Sequence, residues 1–185
     1  MQYKTPFALT PALRRFLEPE LVDHIQDSLT LVHQMEEPDH YSTYYDYAFM
    51  VFPIAKAYEG FLKQYFVKLG VIDQDSYRDR HFRVGRSFNP DLPNRLKDNV
   101  WIYDDVRAFC GEKTTRSLWN MWVDGRNHTF HYFSDNRNRL NYAQAKRLVE
   151  RFLESMELAM VCHLQRSAPK AKQSLSTKAE VQTSA

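Results

Sequence analysis

Residues 43–70, TYYDYAFMVFPIAKAYEGFLKQYFVKLG, decide how this chain folds. Phe49, Phe52, Tyr58, Phe61, Leu62, Tyr65, Phe66 and Leu69 recur at helical spacing, and apolar side chains three and four positions apart share one face of a helix. Thr43 with Asp46 has the form of a capping box, and Gly70 supplies a C-terminal stop. Pro53 removes one backbone donor and is expected to kink the helix or mark its true start. A segment this long and aromatic is expected to be the central core helix.

Its neighbours read as further helices. Thr10-Pro11 pairs an N-cap with proline at the first helical position, opening a short helix through Leu13 and Phe16. Glu18-Pro19 restarts the chain into a second, with Val22, Ile25, Leu29 and Val32 on one face, and the polar stretch from Glu36 to Ser42 ends it. Trp101, Ile102, Val106 and Phe109 predict a helix stopped by Gly111; another follows from Thr114 or Thr115, burying Leu118, Trp119 and Trp122, up to Asp124-Gly125. The last helix starts at Asn141 and places Ala145, Leu148, Val149, Phe152, Met156 and Met160 on one face. Residues 71–99 carry prolines, a glycine and many polar side chains, and read as a long ordered loop. No alternating strand pattern competes, so the expected fold class is an all-α helical bundle, with residues 1–165 as one domain.

Composition narrows the function. The 185 residues are 43% hydrophobic and 14% aromatic, enough for one substantial core. Formal charge is +2, but residues 166–185, which read as a disordered basic tail, hold Arg166, Lys170, Lys172 and Lys178 against Glu180 alone. The body therefore lacks the global positive field of a non-specific nucleic-acid binder, and any RNA contact must come from a local patch. Cys110 and Cys162 have neither zinc-ligand nor CxxC spacing, so neither a metal site nor a disulfide framework is indicated. With no apolar run of spanning length and no secretory signal pattern, the expectation is a cytoplasmic protein without membrane partners.

The chemistry concentrates in Arg126-Asn127-His128-Thr129-Phe130-His131, after Asp124-Gly125 and before Tyr132. Arginine presents a permanent cationic fork that matches a phosphate, and histidine exchanges a proton near neutral pH. Cleavage of RNA beside its own 2′-hydroxyl needs both kinds of group and no metal or cofactor. On an ideal helix, residues five apart point about 140° away from each other, so Arg126 and His131 can converge only at a helix end or break, which Gly125 is expected to supply. A His128/His131 metal pair has no Glu or Asp at zinc-ligand spacing.

The pattern arginine, polar residue, three residues, histidine, within an all-helical chain, resembles the signature of the HEPN superfamily of ribonucleases, in particular the toxin domain of RnlA/LsoA-type toxins of toxin–antitoxin systems. The likeness spans about Tyr44 to Leu164. It implies a HEPN-like bundle in which Arg126 and His131 are catalytic, joined by Glu59 and Lys56 from the stretch Ala55-Lys56-Ala57-Tyr58-Glu59-Gly60. That subgroup more often carries arginine at the position of Lys56, and such toxins usually carry additional N-terminal domains. The resemblance further implies metal-independent cleavage of single-stranded RNA by 2′-hydroxyl transesterification, in toxin–antitoxin or phage-defence biology. It also implies a homodimer with facing motifs and an antitoxin partner. The alternative it leaves is a catalytically inactive HEPN-fold protein that binds RNA or nucleotide or dimerises with a partner. Asn127, Arg83, Arg86 and Tyr132 are candidate RNA contacts, with Phe82 and Tyr132 as stacking surfaces. The plain reading of Glu59 is a surface ion pair with Lys56 or Lys63.

Overall fold

The computed structural model describes residues 9–36, 44–135 and 137–167, and among these the chain is all-helical with no strand. Helix α1 (Pro11–Phe16) opens with the Thr10 side chain accepting from the Leu13 N–H at 3.2 Å. Helix α2 (Pro19–Gln34) follows, its Ile25 and Val32 buried and its Val22 and Leu29 packed against the core. Helix α3 (Ala48–Leu69) lies against both α2 and α8 (Tyr142–Ser167), the latter also packing against α6 (Tyr103–Met121). Ten of the α3 side chains are buried, among them Tyr58, Phe61, Tyr65 and Phe66. Each fully buried ring of this size contributes about 1.5–3 kcal/mol of transfer free energy, so α3 is the helix on which the others assemble.

The start of α3 departs from the predicted capping box. Thr43 lies outside the described residues, and the helix begins at Ala48. Its N-cap is Tyr47, and Asp46, just before it, accepts from the Ala48 N–H at 2.9 Å and from the Leu140 N–H at 3.2 Å. Because the Tyr47 N–H also donates to the Leu140 carbonyl at 2.9 Å, the starts of α3 and α8 are tied together. Pro53 neither starts the helix nor ends it; it sits inside, and the next N–H, that of Ile54, donates to the fully buried Ser28 hydroxyl of α2 at 2.9 Å. A side chain thus satisfies a donor beside the proline gap. Gly70 ends α3 in the left-handed conformation, φ 73°.

Residues 71–99 are not one loop. They hold α4 (Gln74–Arg78), α5 (Val84–Ser87) and a 3₁₀ turn at Asn94–Leu96, separated by turns. Short apolar anchors explain this, since Phe82, Val84 and Phe88 are buried and Phe88 packs against Phe66 and Tyr103 at 5.0 and 5.4 Å between ring centres. Gly111 breaks α6 with φ 76° and ψ 164°, which only glycine adopts readily, so the two predicted helices are the two halves of α6. Helix α8 starts with a reciprocal pair in which Asn141 Oδ1 accepts from the Gln144 N–H and Gln144 Oε1 from the Asn141 N–H, both at 2.9 Å. All six side chains predicted for its buried face are buried. The helix runs through Arg166 and Ser167, two residues into the stretch predicted as tail; the rest of that stretch lies outside the described residues.

Cys110 and Cys162 form a disulfide between α6 and α8, with Cα atoms 5.6 Å apart. Sequence spacing alone did not indicate it, because the partners are 52 residues apart and only the α6/α8 packing brings them together. Disulfides persist in oxidising compartments and are kept as thiols in the cytosol, so the bond bears directly on the cytoplasmic expectation. Among the described residues no helix is long and apolar enough to cross a membrane.

Candidate active site

The chain does not break at Gly125. Instead, Trp122–Asn127 wind as a π-helix that continues α6 and passes into the short α7 (His128–Phe130). Gly125 is buried there, and a β-carbon on it would stand 2.0 Å from Met121 Cε and 2.5 Å from Phe152 Cζ. The glycine therefore serves close packing against α8 rather than helix termination. Widened π turns change which residues face which way and are frequent at functional sites. Arg126 lies within the widened turn, and His131 leaves α7 with extended backbone, φ −93° and ψ 137°. Together the two departures overcome the 140° separation of an ideal helix.

The result is an open pocket of about 390 Å³ lined by Phe52, Ala55, Lys56 and Glu59 of α3 and by Arg126, Phe130 and His131. The α3 residues follow i, i+3, i+4, i+7 spacing, a single face. All four residues that the resemblance marks as catalytic thus share one pocket. Lys56 and His131 are exposed, and the Arg126 and Glu59 side chains are 40% and 33% accessible.

Arg126 is held from three sides. Its Nη2 is 3.8 Å from Glu59 Oε2, its Nη1 donates to Asn127 Oδ1 at 3.3 Å, and its guanidinium lies 5.1 Å from the centre of the buried Trp122 ring. A pair as accessible and as long as Arg126–Glu59 adds little stability; it places a carboxylate beside the fork within the same pocket. Glu59 therefore pairs with Arg126, not with the Lys56 or Lys63 of the plain reading. Asn127 contributes its side-chain oxygen to the fork.

The backbone of His131 has its own anchor. The Asn138 side-chain amide donates to the His128 carbonyl at 3.0 Å and also to the His131 carbonyl, supplying donors that the end of α7 lacks within the helix. Asp124 ties the π segment to α8 through Arg151 Nη2 at 3.0 Å, and the Thr129 hydroxyl donates back to the Asp124 carbonyl at 3.4 Å. Sequence reading missed Asn138, since nothing in Arg137-Asn138-Arg139 marks it. The helical periodicity of α3 predicts Phe52 in the core, yet it is 57% exposed; its spacing from Ala55, Lys56 and Glu59 is the signal that places it on the site face.

The loop candidates stand elsewhere. Arg86 is engaged by Asp98 at 2.6 Å, and its guanidinium holds the Asp98 carboxyl below the usual range. Arg83 donates to the Arg80 carbonyl. Neither lines the pocket. Phe82 is buried at 6% exposure and cannot offer a stacking face, whereas Tyr132 is 83% exposed. A wider groove of about 500 Å³ between α7 and the start of α8 is lined by Asp124, His128, Asn138, Arg147 and Arg151 among others, but its arginines are engaged by Asp124, Glu150 and Glu154. Among the described residues, no group of three or more His, Cys, Asp or Glu side chains is gathered where it could hold a metal ion.

No protein-family model matches the chain, and neither a curated protein nor a solved structure matches it.

Proposed function

We propose that this chain is a metal-independent endoribonuclease of the HEPN type, cleaving single-stranded RNA through the 2′-hydroxyl beside the scissile phosphate. The observation that supports it is the convergence of Lys56, Glu59, Arg126 and His131 on one open pocket, built from two elements some seventy residues apart in the chain. In this reading the phosphate sits against Arg126 and Lys56, whose charge offsets the negative charge growing on the phosphoryl oxygens. His131 exchanges a proton at the reacting oxygens. The 2′-oxygen forms a bond to phosphorus as its proton leaves, the bond from phosphorus to the 5′-oxygen breaks, and that oxygen takes up a proton. The products are a 2′,3′-cyclic phosphate and a 5′-hydroxyl. Glu59 acts through Arg126, the cation it faces.

Two proton transfers are required. A homodimer with facing pockets supplies the second imidazole as the partner subunit's His131, and doubles the local positive field in a body of near-neutral charge. A toxin–antitoxin or phage-defence setting, with an antitoxin partner, follows from the same reading.

The test is cleavage of labelled single-stranded RNA with and without EDTA, by the wild-type chain and by Arg126→Ala and His131→Ala. Cleavage that survives EDTA, is lost in both variants and leaves cyclic phosphate ends supports the proposal. Equal activity in all three proteins rejects it.

A further inference from the structure

Two aromatic side chains at the pocket mouth have no role in the chemistry just described. Phe52 and Phe130 are 57% and 38% exposed, and their rings meet edge to face, with centres 5.6 Å apart and planes at 88°. Both line the pocket that holds Lys56, Arg126 and His131. Phe52 projects from α3 one turn before the buried Ala55, and Phe130 from α7 just after the buried Thr129, so each stands on packed backbone. A pair of rings in contact with each other and left exposed next to two cations matches a ligand that has a flat apolar face joined to an anion.

We infer that Phe52 and Phe130 form a stacking platform for one unpaired base, next to the phosphate seat at Arg126 and Lys56. The ligand class, single-stranded RNA with an accessible base, rests on the ribonuclease reading; the platform itself rests on the exposed ring pair. Bases within a duplex bury their faces on one another, so only an unpaired nucleotide can present one to a ring. The volume, about 390 Å³, is of the order that holds one small ligand, and a purely apolar partner seated here would take the exposed Lys56 ammonium out of water at a cost. Stacking tolerates any base, so the platform selects for strandedness rather than sequence.

The test uses two fluorescent eight-nucleotide probes that cannot be cleaved because every 2′-oxygen is methylated: one with bases, the other abasic throughout. Anisotropy titrations of the full chain are expected to give roughly 5- to 150-fold tighter binding of the base-bearing probe, the range that one stacked base supplies. Phe52→Ala and Phe130→Ala should remove most of that preference and leave binding of the abasic probe unchanged. Phe52→Trp should retain it. Phe52→Leu keeps an apolar side chain but has no aromatic face, so it carries the test if Phe52→Ala unfolds. Equal binding of the two probes by the wild type overturns the platform, as does an equal loss on both probes in Phe52→Leu. A fall in sedimentation mass in the Phe52 variants also overturns it, assigning the rings to a subunit interface instead. Because neither probe reacts, a chain that fails to cleave RNA can still show the base preference, and a chain that cleaves RNA while ignoring the bases refutes the platform alone.

Discussion

Replacing Gly125 by alanine tests whether the site depends on close packing at the π turn. The added β-carbon would lie 2.0 Å from Met121 Cε and 2.5 and 2.8 Å from Phe152 Cζ and Cε2. The methionine end can swing aside. Phe152 cannot, because its ring is fully buried and packs against Tyr58 with centres 5.0 Å apart. Overfilling a packed core costs about 1–3 kcal/mol, while replacing a helical glycine by alanine returns roughly 0.5–1 kcal/mol. The net loss therefore lies between zero and about 2.5 kcal/mol, centred slightly above 1 kcal/mol, and for a chain of this length each kcal/mol moves Tm by roughly 2–4 °C. Scanning calorimetry should show Gly125→Ala melting about 2–5 °C below wild type. Since Arg126 is the next residue, RNA cleavage should fall as well. Adding Phe152→Leu should relieve the clash, so the double variant should be less destabilised than the sum of the singles. A Gly125→Ala protein that melts at or above the wild-type temperature refutes the packing role and returns the glycine to ordinary helix propensity.

Three further outcomes are expected. Asn138→Ala should slow RNA cleavage roughly ten- to hundredfold by loosening the backbone of His131, with affinity for a non-cleavable RNA unchanged; an unchanged rate removes Asn138 from the site. The Tyr58 hydroxyl is buried, donates to the Leu118 carbonyl at 3.0 Å and lies 3.0 Å from Ser155 Oγ, so Tyr58→Phe should destabilise by about 1–3 kcal/mol in denaturant titrations. Burial pushes that phenol above its ordinary value, so the unfolded chain loses the proton first; the stability it contributes is complete below about pH 10 and declines above it, and the decline should be shallower in Tyr58→Phe. Replacing Cys110 and Cys162 by serine opens a link spanning 52 residues, which chain entropy values at up to about 4 kcal/mol; thiol counting on the unreduced, denatured protein that finds two free thiols contradicts the bond.

Much of the architecture was legible because it follows from local rules. The Thr10-Pro11 cap, the restart at Pro19, the apolar stripe of α3, the stop at Gly70, the break at Gly111 and the buried face of α8 each depend on residues within a few turns of one another. The start of α3 was placed too early because Asp46 takes its second partner from Leu140, 94 positions away, and residues 71–99 looked like loop because three short helical pieces are too brief to show a period.

Residue type alone marked Arg126 and His131, which carry charge and proton exchange, whereas Lys56 and Glu59 were marked only by the likeness to the HEPN signature. Only tertiary structure decided that they meet. A helix turns by a fixed angle per residue, so no reading of Arg126 and His131 as regular helix could bring them together. It took a widened turn, accommodated because Gly125 sits under Phe152 of a helix some twenty residues further on, to aim Arg126 across at Glu59. The same long-range packing chose Cys162 as the partner of Cys110, buried Phe82 and left Phe52 in water. Those outcomes depend on which surfaces press against which, and that is fixed only once α3, α6 and α8 have assembled.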